Sequence, residues 1–235
     1  MAVKIGHASM SEHGTTTGTA GDNNKKEVCT SSWYLEKRPW VVLRCKDPSK
    51  REKIAQAMER AIKNDAIGYD QNQRDTLFNN VKNRGYDPLQ TSKNVETDCS
   101  ALIRVCIAYA YGKDLVGNIT TASEPQVLKN TGEFEMLATD KYIKSDAHLL
   151  RGDILCTSTT GHTVVILEDG GNEDSDYTAS VDNVSNDGLL SFFSINWKDV
   201  VVVFLSALLI ICGVVMFVLG VKGAVVDKII KEVQI

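Results

Sequence analysis

The pattern of apolar and polar residues predicts helices in the first half of the chain. Three longer helices are indicated, over residues 47–62, 70–83 and 98–111. The first begins at Asp47 and Pro48, because a capping residue followed by proline is typical of a helix start. The third ends at Gly112, a residue that favours the left-handed conformation found after helices. A shorter helix is predicted within SEPQVLK, with Ser123 as its cap.

The hydrophobic period changes after residue 150. RGDILCT and HTVVILE are rich in β-branched residues and are joined by the short loop STTG, which predicts two adjacent strands. Because helices come first and strands follow, the order favours an α+β fold over a doubly wound parallel sheet. We therefore predict one α+β domain over residues 1–169.

The rest of the chain has a different composition. Residues 170–196 contain acidic residues but no Lys or Arg, which predicts a solvated linker, although YTASVD also fits a last strand of the domain. Residues 200–221 carry no charge and would form a helix roughly 33 Å long. We predict a transmembrane helix over 197–222 and an amphipathic tail over 223–235. The alternative for the apolar run is a buried core helix.

The charge and the cysteine spacing argue against a nucleic-acid partner and against a metal site. The formal net charge is −4, and the sequence gives no basic patch that would indicate a nucleic-acid partner. None of the six cysteines forms a CxxC pair, so no metal is predicted. The amino-terminal MAVKIGHASM lacks the apolar core of a secretory signal, which favours synthesis in a reducing compartment. Lysines after the apolar run outnumber those before it, which favours a cytoplasmic carboxy terminus and a domain on the outer side of the membrane.

Cys99 is the candidate nucleophile. The third predicted helix places it in the first turn, where exposed N–H groups and the helix dipole lower the pKa of a thiol. The same N–H groups could hold an oxyanion. Asp98 is the expected cap, and Ser100 leaves room beside the sulfur, so both are candidate substrate-binding residues. The alternative is that Cys99 is one more small buried residue.

His162 is the candidate base for this thiol. It opens an apolar strand directly after a glycine turn, whereas His7 and His13 lie in a Gly/Ser/Thr-rich amino-terminal segment. His148 lies in a short polar stretch. An exposed turn histidine is the alternative. The third member of the site is expected from a neighbouring strand.

Three blocks carry a resemblance to a known family. TDCSALIRVCIAYA, LLRGDIL and GHTVVIL resemble, in that order, the conserved segments of NlpC-type, papain-like cysteine peptidases, and CHAP amidases share the order. AGDNNKKEVCTSSWY and IGYDQNQRDTLF resemble endolysins of phages and prophages. The resemblance implies a papain-like domain with helices packed on an antiparallel sheet, and no cofactor. It also assigns Tyr69 to the oxyanion site, although a packed ring is an equal alternative.

The chain departs from this family in two places. The third catalytic residue usually follows on the next strand, but here that region is EDGGNEDSD, so that Asp169 is the remaining candidate. Glu168 shares the face of His162 but lies some 20 Å along the strand. Related endolysins end in a wall-binding module, whereas this chain ends in a predicted membrane span. Trp33 is a candidate for a substrate groove, and a core position is its alternative.

Peptidoglycan is therefore the expected substrate. The predicted reaction is hydrolysis of an amide, either between stem-peptide residues or at the muramoyl–L-alanine bond. The predicted localisation is a single-pass membrane protein of phage origin at the bacterial envelope, with contact to the bilayer through residues 200–221 and self-association through the same helix. Two alternatives stay open: a membrane-anchored acyltransferase of the permuted papain-like type, and a non-catalytic virion or membrane component.

Overall fold

The computed structural model describes residues 2–20, 27–91, 93–157 and 161–171. Contacts divide the chain into two units, Met1–Val181 and Asp182–Ile235, and all described residues belong to the first. The linker predicted over 170–196 lies outside the described residues except for its first two positions, and so do the transmembrane helix and the tail. Within the described ranges, no helix is long and apolar enough to cross a membrane.

The described residues form eight strands and five helices. The strands are β1 (Lys4–Ala8), β2 (Val28–Ser32), β3 (Trp40–Cys45), β4 (Ile67–Tyr69), β5 (Val95–Thr97), β6 (Phe134–Leu137), β7 (Ile154–Thr157) and β8 (Thr163–Ile166). The helices are α1 (Pro48–Ile62), α2 (Thr76–Val81), α3 (Cys99–Tyr111), α4 (Glu124–Asn130) and α5 (Asp140–Ile143), and a 3-10 turn spans Pro88–Gln90.

Six strands form one sheet in the order β2-β1-β8-β7-β3-β6, and every neighbouring pair is antiparallel. The remaining strands, β4 and β5, form a separate parallel pair. The α+β class and the antiparallel sheet are thus confirmed. The predicted order of helices before strands is wrong, because β1, β2 and β3 precede α1. These strands are short, and two of them lie in polar sequence that carries little periodic signal.

One face of the sheet is covered by helices. Gly6 on β1 faces α1 so closely that a Cβ atom there would lie 2.5 Å from Met58 Cγ, which explains the glycine. On β3, Cys45 Sγ lies 3.2 Å from the hydroxyl of Tyr111 at the end of α3. We call this the helix face. By strand alternation it also contains Cys156 and Thr163.

The opposite face carries an apolar cluster. Its buried members are Val3, Ile5, Trp40, Val42, Leu149, Leu155, Val164 and Ile166, against which Trp33, Leu137 and Tyr142 pack. We call this the cluster face. At its edge, Arg44 forms a fully buried ion pair with Asp153, with Nη2 and Oδ2 2.7 Å apart. A buried charge is costly unless it is paired, so the pair fixes β3 to the turn that precedes β7.

The long helices begin and end largely as predicted. Asp47 caps α1 by accepting hydrogen bonds from two backbone N–H groups, and Gly112 ends α3 with φ of 68°. The helix predicted over 70–83 is shorter, because Asp70 accepts from the N–H groups of Asn72 and Gln73 and so stabilises a turn. Ser123 precedes α4 but bonds Thr120 rather than the helix N–H groups.

Candidate active site

Cys99 is the first residue of α3, at the place that the sequence predicts. The side chain of Asp98 caps the helix by accepting a hydrogen bond from the N–H of Ala101 at 2.7 Å. The short strand β5 leads directly into this cap and holds the start of the helix against the rest of the fold. Cys99 is 6% exposed, so its sulfur lies just beneath the surface.

The pKa of the Cys99 thiol is raised, whereas its position at a helix start predicts a lowered pKa. Burial, with smaller contributions from the carboxyl groups of Asp98 and Glu124, raises the pKa of Cys99 to about 12. The N–H groups of Thr163 and Ser100 act on the sulfur in the other direction, but they do not outweigh burial. The prediction of a lowered pKa is therefore wrong, and at neutral pH Cys99 is a thiol.

Asp98 and Ser100 are engaged with each other and with one arginine. Ser100 Oγ donates to Asp98 Oδ1 at 3.1 Å and accepts from Arg74 Nη2 at 2.8 Å. Arg74 also forms an ion pair with Asp98, with Nε and Oδ2 2.8 Å apart. Both residues predicted to bind substrate thus stabilise the start of α3 in this structure.

His162 immediately precedes β8, and a second histidine holds its ring. His162 Nε2 lies 2.8 Å from Nδ1 of His7 on the neighbouring strand β1, and the tautomers decide which nitrogen donates. Burial, with a smaller contribution from His7, lowers the pKa of His162 to about 4. Burial lowers the pKa of His7 as well. Both imidazoles are therefore neutral at pH 7.

His7 is a site residue that the sequence interpretation missed. Its position in a Gly/Ser/Thr-rich amino-terminal segment gave no reason to select it, yet it lies on β1, between β2 and β8 in the sheet. The signal that could have found it is the alternation of Val3, Ile5 and His7, which a half-buried strand produces. A neighbouring strand was expected to supply the third member, and β1 supplies a partner of this kind.

The contacts of His7 extend to a third side chain on β2. Cys29 pairs with His7 across the two strands, and its sulfur lies 3.6 Å from His7 Nε2. Cys29 is half-buried, and burial raises the pKa of its thiol. Cys29, His7 and His162 thus form a continuous row of hydrogen-bonding groups.

Cys99 and the histidine pair approach the start of β8 from different sides. His7 lies on the cluster face with Ile5, whereas Thr163 lies on the helix face with Cys99. In the described part of the chain, no hydrogen bond joins the sulfur of Cys99 to the ring of His162. The N–H group of Thr163 acts on the sulfur, however, and this nitrogen is bonded to the carbonyl carbon of His162. A single peptide unit therefore separates the contact of the thiol from the base.

Tyr69 also belongs to the surroundings of Cys99. It pairs with Thr97, two residues before the cysteine, through the parallel strands β4 and β5. Burial raises the pKa of Tyr69 to about 12, and the next largest cause is Cys99. The phenol therefore stays protonated. Its oxygen accepts a hydrogen bond from Gln71 Nε2 at 3.1 Å.

Two other predicted site residues have structural contacts elsewhere. Asp169 follows the far end of β8, where its carboxylate accepts a hydrogen bond from the N–H of Arg151 at 2.7 Å. His7, not Asp169, contacts His162. Trp33 packs against the apolar cluster, and its backbone N–H donates to the carbonyl of Val3 at 2.8 Å.

Glu124 is a second residue near Cys99 that the sequence interpretation did not single out. It is the first residue of α4 and is fully buried, and its Oε1 accepts a hydrogen bond from Thr163 Oγ1 at 2.6 Å. Burial raises the pKa of Glu124 to about 8. Within the described ranges, no group of three or more His, Cys, Asp or Glu side chains is placed to hold a metal ion.

The fold and this site define an α+β protein with a capped thiol on one face of an antiparallel sheet and a histidine pair on the other. A family model described as the endolysin-like domain matches residues 5–173. The chain therefore belongs to the endolysin-like domain family. This match confirms the resemblance to endolysins and supports an enzyme that acts on peptidoglycan, whereas the NlpC or CHAP type stays a prediction. No curated protein and no solved structure matches the chain.

Proposed function

We propose that the chain hydrolyses an amide bond in the peptide part of peptidoglycan, with Cys99 as nucleophile and His162 as general base. One observation carries this proposal: at a capped helix start, the Cys99 thiol is close enough to the backbone N–H of Thr163, the residue that directly follows His162, for this N–H group to lower its pKa. His7 is assigned the positioning role, since its ring hydrogen-bonds that of His162. The resemblance to NlpC-type peptidases in the three motif blocks supports the same pair.

The reaction starts from two neutral groups. The pKa of Cys99 is raised to about 12 and that of His162 is lowered to about 4, so the thiol keeps its proton until substrate is bound. The base then takes this proton as the sulfur attacks the carbonyl carbon. Since the His162 ring contacts His7 on the cluster face, this transfer requires the backbone at the start of β8 to move when substrate binds, so that the ring reaches the sulfur.

The tetrahedral intermediate carries a negative oxygen. The backbone N–H groups at the start of α3 and the phenol of Tyr69 are the donors assigned to it. The imidazolium returns the proton to the leaving amine, and the C–N bond breaks to leave a thioester on Cys99. Water, deprotonated by the same imidazole, then hydrolyses the thioester and releases a carboxylate product.

A second nucleophile has an observation in its favour. Cys29 is more exposed than Cys99, and its sulfur already lies 3.6 Å from His7 Nε2. In this version His7 is the base and His162 supports it. The two versions predict opposite results for the two cysteine variants, so a single experiment separates them.

The test is digestion of purified peptidoglycan by the full-length chain, followed by mass spectrometry of the released muropeptides. We expect Cys99→Ala to abolish product, while Cys29→Ala retains activity within a few-fold of the parent. A new amino terminus within the stem identifies an endopeptidase, and a glycan freed of its whole stem identifies an amidase.

Other outcomes would replace the proposal. Loss of product in Cys29→Ala alone assigns the reaction to the Cys29 row. Full activity of both variants removes the thiol mechanism. No product from the parent chain, but acyl transfer to a lipid or an amine, favours the acyltransferase alternative, and no turnover at all favours a non-catalytic virion or membrane component.

We further propose that a membrane helix over 197–222 anchors a phage-encoded enzyme at the bacterial envelope. The uncharged run 200–221 supports this, since it is long enough to cross a bilayer. The full chain should co-sediment with membranes after carbonate washing, and a chain ending at residue 196 should not. Release of the full chain by carbonate would contradict the anchor.

A further inference from the structure

Glu124 lies in the interior of the fold beside the proposed nucleophile. Its side chain is inaccessible to solvent, and one carboxyl oxygen accepts a short hydrogen bond from the hydroxyl of Thr163. The other oxygen, Oε2, is buried and has no hydrogen-bond partner among the described residues. A buried ionised carboxylate left half-paired is costly. A protonated carboxyl, whose Oε2 bears the hydrogen, removes most of this cost.

Three elements surround this carboxyl, and their polar groups explain why it stays neutral. Cys99 and Asp98 come from the start of α3, Cys156 from β7 and Thr163 from β8. Asp98 forms an ion pair with Arg74, and its carboxyl group raises the pKa of Glu124. The two thiols are neutral, because burial raises the pKa of each. No cation among the described residues contacts Glu124 directly.

Thr163 links Glu124 to both halves of the site. Its hydroxyl donates to Glu124, its N–H acts on the sulfur of Cys99, and its preceding residue is His162. Any movement of Glu124 would therefore move the peptide unit that lies between thiol and base.

We propose that Glu124 is a positioning residue that, in its protonated form, holds Thr163 against Cys99 and keeps a second negative charge away from the forming thiolate. The proposal rests on the proposed function only in its meaning for hydrolysis, since the effect on the sulfur is independent of any substrate. Ionisation of Glu124 places a like charge near the thiolate and disfavours it. The structure thus contains a carboxyl whose proton controls how readily Cys99 ionises.

The test measures the alkylation rate of Cys99 by iodoacetamide from pH 6 to pH 10 in the full-length chain, with mass spectrometry of the peptide that contains Cys99. In the parent, the rise of the rate with pH should weaken above about pH 8, where Glu124 loses its proton. Glu124→Gln keeps an oxygen acceptor for Thr163 but cannot ionise, so its rate should keep rising.

Three variants show whether the change in alkylation rate comes from the ionisation of Glu124. We expect the parent and Glu124→Gln to react within about twofold of each other at pH 7 and to differ by about tenfold near pH 9.5, the effect of roughly one pKa unit from a nearby like charge. Glu168→Gln, the same exchange in an exposed side chain past the other end of β8, should follow the parent throughout. Thr163→Val removes the hydrogen bond that lowers the pKa of Glu124, so its bend should move to higher pH.

The outcomes are separable. The proposal is supported if, above pH 8, the alkylation rate of Glu124→Gln exceeds that of the parent while that of Glu168→Gln does not. The pH at which the rate of Thr163→Val stops rising steeply should also be higher than in the parent. Parallel curves for the parent and Glu124→Gln, or a constant offset at every pH, overturn it and leave Glu124 a packing residue. If the curves diverge but peptidoglycan is not cleaved, the proposed function fails while the role of Glu124 stands. If cleavage occurs with parallel curves, the reverse holds.

Discussion

The two faces of the sheet at the start of β8 bury ionisable groups of opposite character. On the helix face, Cys99 and Glu124 are acids that burial keeps protonated. On the cluster face, His7 and His162 are bases that burial keeps unprotonated. The common cause is desolvation, which disfavours the charged form of either kind of group.

This difference has a consequence for chemistry. A neutral acid on one side and a neutral base on the other can exchange a proton only when a substrate makes the transfer favourable. The site would thus rest as thiol and imidazole, not as an ion pair, and would develop charge together with the oxyanion. The two faces are joined by one residue, Thr163, so changes on either side test how strongly they are coupled.

The largest effect is expected from removal of the base. His162→Ala should lower kcat for peptidoglycan hydrolysis by about 10²–10⁴-fold, the range that general acid–base catalysis contributes. Substrate binding should change little, so KM should stay near the parent value. His13→Ala, at an exposed histidine, is the matched control. A His162→Ala variant with parent activity would show that the cluster face is not part of the mechanism.

The next effect is on the pH dependence of the free energy of unfolding. Stability falls towards acid pH because of the cluster face and towards alkaline pH because of the helix face. The pKa of His162 is lowered in the folded state, so the unfolded chain binds its proton first and stability is lost as pH falls from 6.5 towards 4. The loss should be on the order of 3 kcal/mol. The pKa of Glu124 is raised, so its contribution is lost as pH rises from 4.5 towards 8.

Urea unfolding of the full chain in mild detergent, repeated across this pH range, measures both slopes. His162→Gln should flatten the acid side and Glu124→Gln the alkaline side, each without changing the other. If one substitution flattens both sides, the two faces titrate as a single coupled unit and the comparison fails.

The smallest effect is expected from the partner of the base. His7→Ala should cost about 1–3 kcal/mol of transition-state stabilisation, because the hydrogen bond that orients His162 is lost. Activity should therefore fall about tenfold to a hundredfold, mostly in kcat. The acid limb of kcat/KM should also move to higher pH, since His7 is one of the groups that lower the pKa of His162. Loss of stability without a shift of this limb would indicate a purely structural role.

Most of the elements of the helix face could be predicted from the sequence. The start of α3 could be located because a capping aspartate, a polar first turn and a terminal glycine are local signals. The hairpin of β7 and β8 was equally visible, since both strands are apolar and joined by a short loop. Tyr69 was assigned by resemblance, and its role in the oxyanion site stays a prediction.

The cluster face could not be inferred in the same way. His7 lies more than 150 residues before His162 in the chain, and β1 is only five residues long, so that its alternation is a weak signal. Strand order is set by long-range pairing, which local patterns do not encode. Asp169 was proposed as third member because it follows His162 closely in sequence, yet the β1–β8 pairing brings His7 there.

The amino-acid sequence alone determined which residues begin α3 and β8, because capping, turn chemistry and periodicity act over a few neighbouring positions. Tertiary structure decided the charge state and the partners of those residues. Burial reversed the expected shift in the pKa of Cys99, and strand pairing gave His162 a histidine and Thr163 a buried glutamate. Desolvation depends on everything that packs around a group, and that is a property of the folded chain.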